Sequence, residues 1–212
     1  MIDREDLTKF ADFPEESMRA LIVVDAQNEF SPRGLRPVPN HAAALAAIQR
    51  WVDHARAEGW SIAWIQHHNR PDESRAFVPG SWGAEFSPEL EPRLGQPAER
   101  HFQKDVYGAF TGTGLDGWLR AQRVQEVVVV GFYAHMCLST SVREALVRGF
   151  RVAVDAAATG ACDVEHDVLG TQTADEVRRS ALLQLTHMGA SVVATPATDE
   201  SEAALATTER EA

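Results

Sequence analysis

Two stretches of the chain are apolar without interruption, Ala20-Leu21-Ile22-Val23-Val24 and Val127-Val128-Val129-Val130-Gly131. A run with no polar face has to be covered on both sides, so each predicts a central strand of a parallel sheet. Ser61-Ile62-Ala63-Trp64-Ile65 reads the same way, and shorter strands are predicted at 99–103, 151–154 and 191–194. Between the strands the apolar residues switch to helical spacing. Leu45, Ile48, Val52 and Ala55 predict a helix over 42–57 that stops at Gly59, and another is predicted over 115–122. Leu138, Val142, Ala145 and Leu146 line one face of a helix after the strand at 127–130, and Val177, Ala181, Leu185 and Met188 do so over 174–188. About six strands alternating with as many helices imply an α/β protein of one domain. Its expected form is a three-layer α/β/α sandwich around a doubly wound, mostly parallel six-stranded, Rossmann-like sheet. Residues 70–96 interrupt the pattern with Pro71, Pro79, Gly80, Gly83, Pro88, Pro92 and Gly95. A long loop in a compact domain is often functional.

Composition narrows the partners. The net charge is −11, of which residues 1–18 and 197–212 together hold −8, leaving a nearly balanced body over 19–196. The two acidic ends read as a solvated N-terminal segment and a flexible tail flanking one domain. With no run of Lys or Arg, neither a nucleic-acid backbone nor an anionic membrane is an expected partner, which leaves a small-molecule substrate. No stretch is long and apolar enough to span a membrane, and the acidic start lacks the pattern of a signal peptide, so a cytoplasmic location is expected. Only two cysteines occur, Cys137 and Cys162, without a CxxC pair, and they read as free thiols. Of 20 basic residues 18 are Arg; the two lysines are Lys9 and Lys104.

In open parallel sheets ligands bind beyond the carboxyl ends of the strands, near the point where strand order reverses. Asp25 ends the first apolar strand, Lys104 follows the third, and Cys137 opens the helix after the strand at 127–130. A cysteine in the first turn of a helix meets unpaired N–H groups that favour its thiolate. It can equally be a small buried hydrophobe, and position alone leaves both readings open. Lys104 stands where a chain that otherwise writes Arg kept a compact ammonium, which suggests a role that a guanidinium does not fill. Asp25 follows five apolar residues and is expected to be desolvated, as a proton-transfer group or as a loop cap like the one assumed for Asp155. Together the three supply a nucleophile, a base and a cation, the set needed for acyl transfer.

Asp25-Ala26-Gln27-Asn28-Glu29-Phe30 resembles the D-x-Q-x-x-F motif of the isochorismatase-like cysteine hydrolases, which include nicotinamidases and N-carbamoyl amidases. Pro79-Gly80-Ser81-Trp82-Gly83-Ala84-Glu85 resembles a loop motif of that superfamily. Lys104 with Ala109-Phe110-Thr111-Gly112-Thr113-Gly114-Leu115 is similar to its K…F-x-G-T-x-L block, and Gly131-Phe132-Tyr133-Ala134-His135-Met136-Cys137 to its nucleophile turn. The resemblance covers residues 19–195. It implies Cys137 as nucleophile, Asp25 as base and then acid, and Lys104 as the cation that orients them. It also implies an oxyanion site from the backbone N–H groups of Tyr133 and Cys137, in a turn with a cis peptide at Phe132–Tyr133, and a homo-oligomer, dimeric or tetrameric. No cofactor is implied. Nicotinamidases carry a D-x-H…H metal site after the second strand. Here the region reads Gln66-His67-His68-Asn69-Arg70 and lacks the aspartate, so His67 and His68 stand as surface or substrate contacts, with metal binding the lesser reading. Phe30, Trp82, Phe110, Tyr133 and His135 are the candidate pocket residues.

The function expected is metal-independent, cysteine-dependent hydrolysis of a small amide, carbamoyl or ureido C–N bond through a thioester. The rivals are vinyl-ether hydrolysis of the isochorismatase kind and an inactive ligand-binding protein that kept the fold.

Overall fold

The computed structural model describes residues 18–197 except 71, 91 and 94, so the acidic ends expected at 1–18 and 197–212 fall almost wholly outside the described residues. The three central strands form where the apolar runs predicted them: β1 is Arg19–Val24, β2 Ser61–His67 and β4 Glu126–Gly131. β3 (Glu99–Lys104) and β8 (Ser191–Val193) form the sheet edges, and β5 (Arg151–Thr159) lies beside β4. The order is β3-β2-β1-β4-β5-β8 and every pairing in this sheet is parallel. Sequential strands run outward from β1 in one direction and then, from β4, in the other. The β1/β4 boundary is therefore the switch point at which such sheets open a crevice.

Side chains alternate across the pleat and so build two cores. Leu21, Val23, Ile62, Trp64, Val128 and Val130 face α1 (His41–Ala57), which contributes Ala44, Ile48, Trp51 and Val52. Ala20, Ile22, Val24, Ala63, Ile65, Val127 and Val129 face the opposite layer. There they meet α2 (Leu115–Ala121), α3 (Ser139–Val147) and α4 (Ala174–His187), through Leu119, Val142 and Leu185 among others. The described residues thus hold four α-helices where the pattern implied about six. The remaining connections are one-turn 3-10 segments at Asn28–Phe30 and Trp82–Ala84, and a five-residue π-turn, Ala134–Leu138, where an ordinary helix start was expected.

Two further differences have local causes. β5 runs past Val154 through Ala156 and Ala158, residues too weakly β-forming to mark a strand, because Thr159 pairs with Gly131 after a register shift in β4. Residues 164–172 make a small hairpin of β6 (Val164–His166) and β7 (Gly170–Gln172), turned at 167–169 and followed by Gly170 with φ 82°. No helix among the described residues is long and apolar enough to cross a membrane.

Candidate active site

Asp25 leaves β1 with φ 50°, and its N–H donates to Ile65 O at 3.0 Å. Gln27 then ties this segment to its neighbours. Its Nε2 donates to His67 O (2.9 Å) and Ala84 O (2.7 Å), and its Oε1 accepts the His67 N–H (2.9 Å). On the other side of the switch point β4 ends at Gly131, with φ 114°, where a Cβ would lie 1.9 Å from Val24 O. Only glycine permits that approach, and Phe132 N–H closes it by donating to Val24 O at 2.9 Å. The Phe132–Tyr133 peptide is cis, and the π-turn that follows carries Cys137.

These segments bring Asp25, Lys104 and Cys137 together, although they are 79 and 33 residues apart in sequence. Lys104 is the last residue of β3, and its Nζ donates to Asp25 Oδ2 at 2.7 Å and to Cys137 Sγ at 3.3 Å. The Lys104 and Asp25 side chains are 0% and 1% exposed. Asp25 Oδ1 is buried too and has no hydrogen-bond partner among the described residues. Asp155 provides the contrast: it accepts from Trp51 Nε1 and Ala157 N, both at 2.8 Å, and from Thr195 Oγ1, and so is the cap that the sequence suggested. One buried aspartate is saturated and the other keeps an acceptor atom in hand.

The third contact of the ammonium is His67, whose Nδ1 lies 3.1 Å from Lys104 Nζ. The two are register partners across β2 and β3. His67 Nε2 in turn lies 2.8 Å from Asn69 Oδ1, and Asn69 Nδ2 donates to Ala76 O at 3.0 Å. Burial first, and the Lys104 charge second, hold the His67 pKa below the usual imidazole value. Burial pulls the Lys104 pKa down, but the adjacent Asp25 charge and Cys137 outweigh it and leave the value raised. For Cys137 the expected shift is reversed. Burial, then the Asp25 charge, push the thiol well above its ordinary range despite Lys104. These shifts favour the protonated thiol, with Asp25 beside it.

Asp25, His67 and Cys137 line a cavity of about 560 Å³ together with Phe30, Arg36, Phe77, Tyr133, Met136 and Cys162. The wall is held by Glu29, a buried carboxylate that accepts from Leu35 N (2.7 Å) and Phe77 N (3.4 Å). Gly83 leaves room for it: a Cβ there would fall 1.8 Å from Glu29 Oε2 and displace the carboxylate. Tyr133 packs edge-on against Phe30 and donates its hydroxyl to Arg36 O at 2.7 Å, which fastens the turn carrying Cys137 to the 31–37 loop.

Similarity to other proteins agrees with this geometry. A family model described as Isochorismatase domain matches residues 19–197. The chain belongs to the isochorismatase family. The nicotinamidase/pyrazinamidase of Mycobacterium tuberculosis is 32% identical over 191 residues, covering 79% of this chain and 98% of that protein. The ureidoacrylate amidohydrolase RutB of Agrobacterium fabrum is 25% identical over 162 residues, 61% of this chain and 70% of that one. A cysteine hydrolase from Pseudomonas syringae superposes with a TM-score of 0.76 at 27% identity, over 84% of this chain and 88% of its own. The protein is thus an isochorismatase-family hydrolase, in a family whose members include amidohydrolases acting on C–N bonds.

Three of the candidate pocket residues stand away from the cavity wall. Trp82 is 43% exposed and lies under the Arg33 guanidinium, 4.8 Å from its ring centre. Phe110 faces the α2–α4 layer, against Phe150 and Arg148, because the turn carrying it is pinned to α3 by Ala109 N and Phe110 N donating to Ser141 and Glu144. His135 lies behind Tyr133, ring centres 5.3 Å apart. Arg36, Phe77, Met136 and Cys162 replace them; Met136 comes from the π-turn and the other three from loops whose paths no periodicity encodes.

The nicotinamidase-type metal site does not fit the residues present. The donor group that the described residues assemble is Asp25, His67 and Cys137, within 4.8 Å of one another, and it does not include His68. The Lys104 ammonium is hydrogen-bonded to all three, so the positive charge at their centre is already supplied. Gln66, at the position of the missing aspartate, donates its amide to Ala84 O at 2.7 Å.

Proposed function

We propose that this protein is a metal-independent cysteine hydrolase that cleaves the C–N bond of a small amide, carbamoyl or ureido compound through a thioester on Cys137. What carries the reading is the single ammonium of Lys104 that contacts both Asp25 Oδ2 and Cys137 Sγ, two residues of the cavity wall.

Asp25 takes the thiol proton as Cys137 Sγ attacks the substrate carbonyl carbon. The ammonium stays paired throughout, first mainly with the carboxylate and then with the sulfur, so a proton moves without a charge being stranded in the interior. The carbonyl oxygen becomes an oxyanion, received by the N–H groups of Tyr133 and Cys137. In support, the Tyr133 N–H makes no hydrogen bond within the described residues. Such donors are worth roughly 3 kcal/mol each. Asp25 then protonates the leaving nitrogen, the C–N bond breaks, and the amine or ammonia departs. Water, deprotonated by Asp25, attacks the thioester; the acid is released and the thiol regains its proton. Phe30, Phe77, Tyr133 and Met136 favour a flat or partly apolar acyl group.

The test is turnover of a panel of small amides, N-carbamoyl and ureido compounds by the wild type and by Cys137→Ser, with isochorismate included. Ammonia release from an amide, lost by more than about a hundredfold in the variant, supports the reading. Full retention in the variant, or turnover of isochorismate alone, overturns it. We further propose a homo-oligomer, for which exposed Val147, Val168, Leu169 and Leu183 offer apolar surface; sedimentation as a monomer at micromolar concentration contradicts it.

A further inference from the structure

We infer that His67, held by Asn69 in one neutral tautomer, is a positioning residue for Lys104: its unprotonated Nδ1 accepts the third hydrogen bond of the ammonium and keeps it centred between Asp25 and Cys137. The role deepens the hydrolase reading above and rests on it.

The geometry fixes each hydrogen in turn. Asn69 Nδ2 donates to Ala76 O at 3.0 Å, which turns Asn69 Oδ1, an acceptor only, toward His67. Nε2 of His67, 2.8 Å from that oxygen, must therefore carry the hydrogen. A neutral imidazole has one N–H, so Nδ1 has a lone pair, and the atom 3.1 Å away is an ammonium that can only donate. Lys104 has three N–H groups and three acceptors, Asp25 Oδ2, Cys137 Sγ and His67 Nδ1. An ammonium with two partners could swing toward the carboxylate, its shortest contact at 2.7 Å. The third partner opposes that swing and holds the charge where the thiolate develops.

The surroundings of the ring agree. Asp25 faces it from the end of β1, Lys104 from β3, Cys137 from the π-turn, Asp105 from the loop after β3, and His68 follows it in the chain. Phe77 meets the ring edge-on, with ring centres 5.3 Å apart. Protonation of His67 would put an N–H against the ammonium, and burial beside Lys104 disfavours it.

The readout is the rate of Cys137 alkylation by iodoacetamide, followed by intact mass in a Cys162→Ala background, so that it does not depend on the substrate. His67→Leu, which removes the acceptor, is expected to slow alkylation about tenfold to a hundredfold. His67→Asn puts an oxygen close to where Nδ1 stood and is expected to restore most of the rate, whereas His67→Gln puts it where Nε2 stood and is not. Asn69→Asp places a carboxylate on Nε2 and stabilises the imidazolium, so the acid limb of the pH–rate profile should move to higher pH. A side chain that merely fills space would leave that limb in place. In ¹⁵N-histidine spectra, His67, assigned by its loss in His67→Asn, should show the Nε2–H tautomer at neutral pH. Equal alkylation rates in the wild type and His67→Leu, or an Nδ1–H tautomer or imidazolium at neutral pH, overturn the proposal. A wild-type Cys137 that iodoacetamide does not touch overturns the nucleophile reading instead, and the tautomer alone then decides the role of His67.

Discussion

Lys104→Met isolates the energetic cost of the site. The substitution keeps the length and most of the volume of the side chain and removes the ammonium, leaving Asp25, 1% exposed, without its cation. Breaking a buried pair in this way costs about 3–5 kcal/mol. The fold can escape part of that penalty by protonating the orphaned carboxylate. An aspartate in an unfolded chain titrates near 3.9, so holding one protonated at neutral pH costs about 3 units at 1.36 kcal/mol each, or about 4 kcal/mol. The two routes agree, and for a domain of this size about 4 kcal/mol lowers Tm by roughly 8–16 °C. The protonation route also sets the pH dependence. A carboxyl kept neutral in the fold contributes full stability below its unfolded pKa and loses it as pH rises, so the deficit of the variant should shrink by about 1.4 kcal/mol for each unit of acidification toward pH ~4. Urea denaturation followed by the fluorescence of buried Trp51, Trp60, Trp64 and Trp118 reads both effects. Asp25→Asn combined with Lys104→Met leaves no buried charge and should recover most of the loss. A single variant as stable as the wild type at neutral pH, or a double variant less stable than the single, would refute the assignment of Lys104 and Asp25 as a buried, mutually dependent pair.

Four other outcomes follow from the same geometry. Asp25→Asn should abolish amide turnover while the protein still binds small amides in a thermal-shift assay; undiminished turnover would remove Asp25 as the base. Stability should be flat between pH about 6.5 and 9 and fall on both sides. On the acid side His41, His54, His67, His68, His101 and His135, all lowered from 6.5, charge more readily once unfolded; on the alkaline side Cys137, raised from 9.0, ionises more readily once unfolded. A midpoint in urea that changes steadily across that window would contradict the directions of these shifts. Gly131→Ala should cost at least about 2 kcal/mol and most of the activity, because its Cβ would meet Val24 O at 1.9 Å in a backbone with φ 114°. Trp51→Phe should cost about 1–3 kcal/mol by leaving Asp155 short of a donor, yet leave kcat unchanged, since Asp155 is a cap remote from the cavity.

How much of this was legible depends on the kind of signal each residue leaves. β1 and β4 could be read because a strand covered on both faces must be apolar throughout, and their position in a parallel sheet then singled out Asp25 and the Gly131–Cys137 turn. Lys104 stood out by scarcity, one of two lysines among twenty bases. His67 reads in sequence as a surface or substrate contact, with metal binding the lesser reading, and nothing there ties it to Lys104. Its neighbour across the sheet is set by the register of β2 against β3, and once that register is known His67 must lie beside Lys104. Asn69, which fixes its tautomer, leaves no trace in sequence beyond a spacing of two. The pocket was read least well. Phe110 and Trp82 are aromatic and near the right motifs, but which face of the sheet a loop residue reaches is decided by tertiary hydrogen bonds such as those from the 109–110 turn to Ser141 and Glu144. The direction of the Cys137 shift was misjudged for a related reason. A helix start favours a thiolate, but here the cysteine sits in a π-turn, and burial and the Asp25 charge push its pKa up despite Lys104.

The central claim is a covalent bond to Cys137, and mass analysis of protein quenched in acid during turnover of an amide tests it most directly. The account predicts a mass increase equal to the acyl group, located on the peptide containing Cys137, lost at alkaline pH with hydroxylamine and absent from Cys137→Ala, which forms no product. Product formation by Cys137→Ala at the wild-type rate, or an adduct located on Cys162 with Cys137 unmodified, would contradict it.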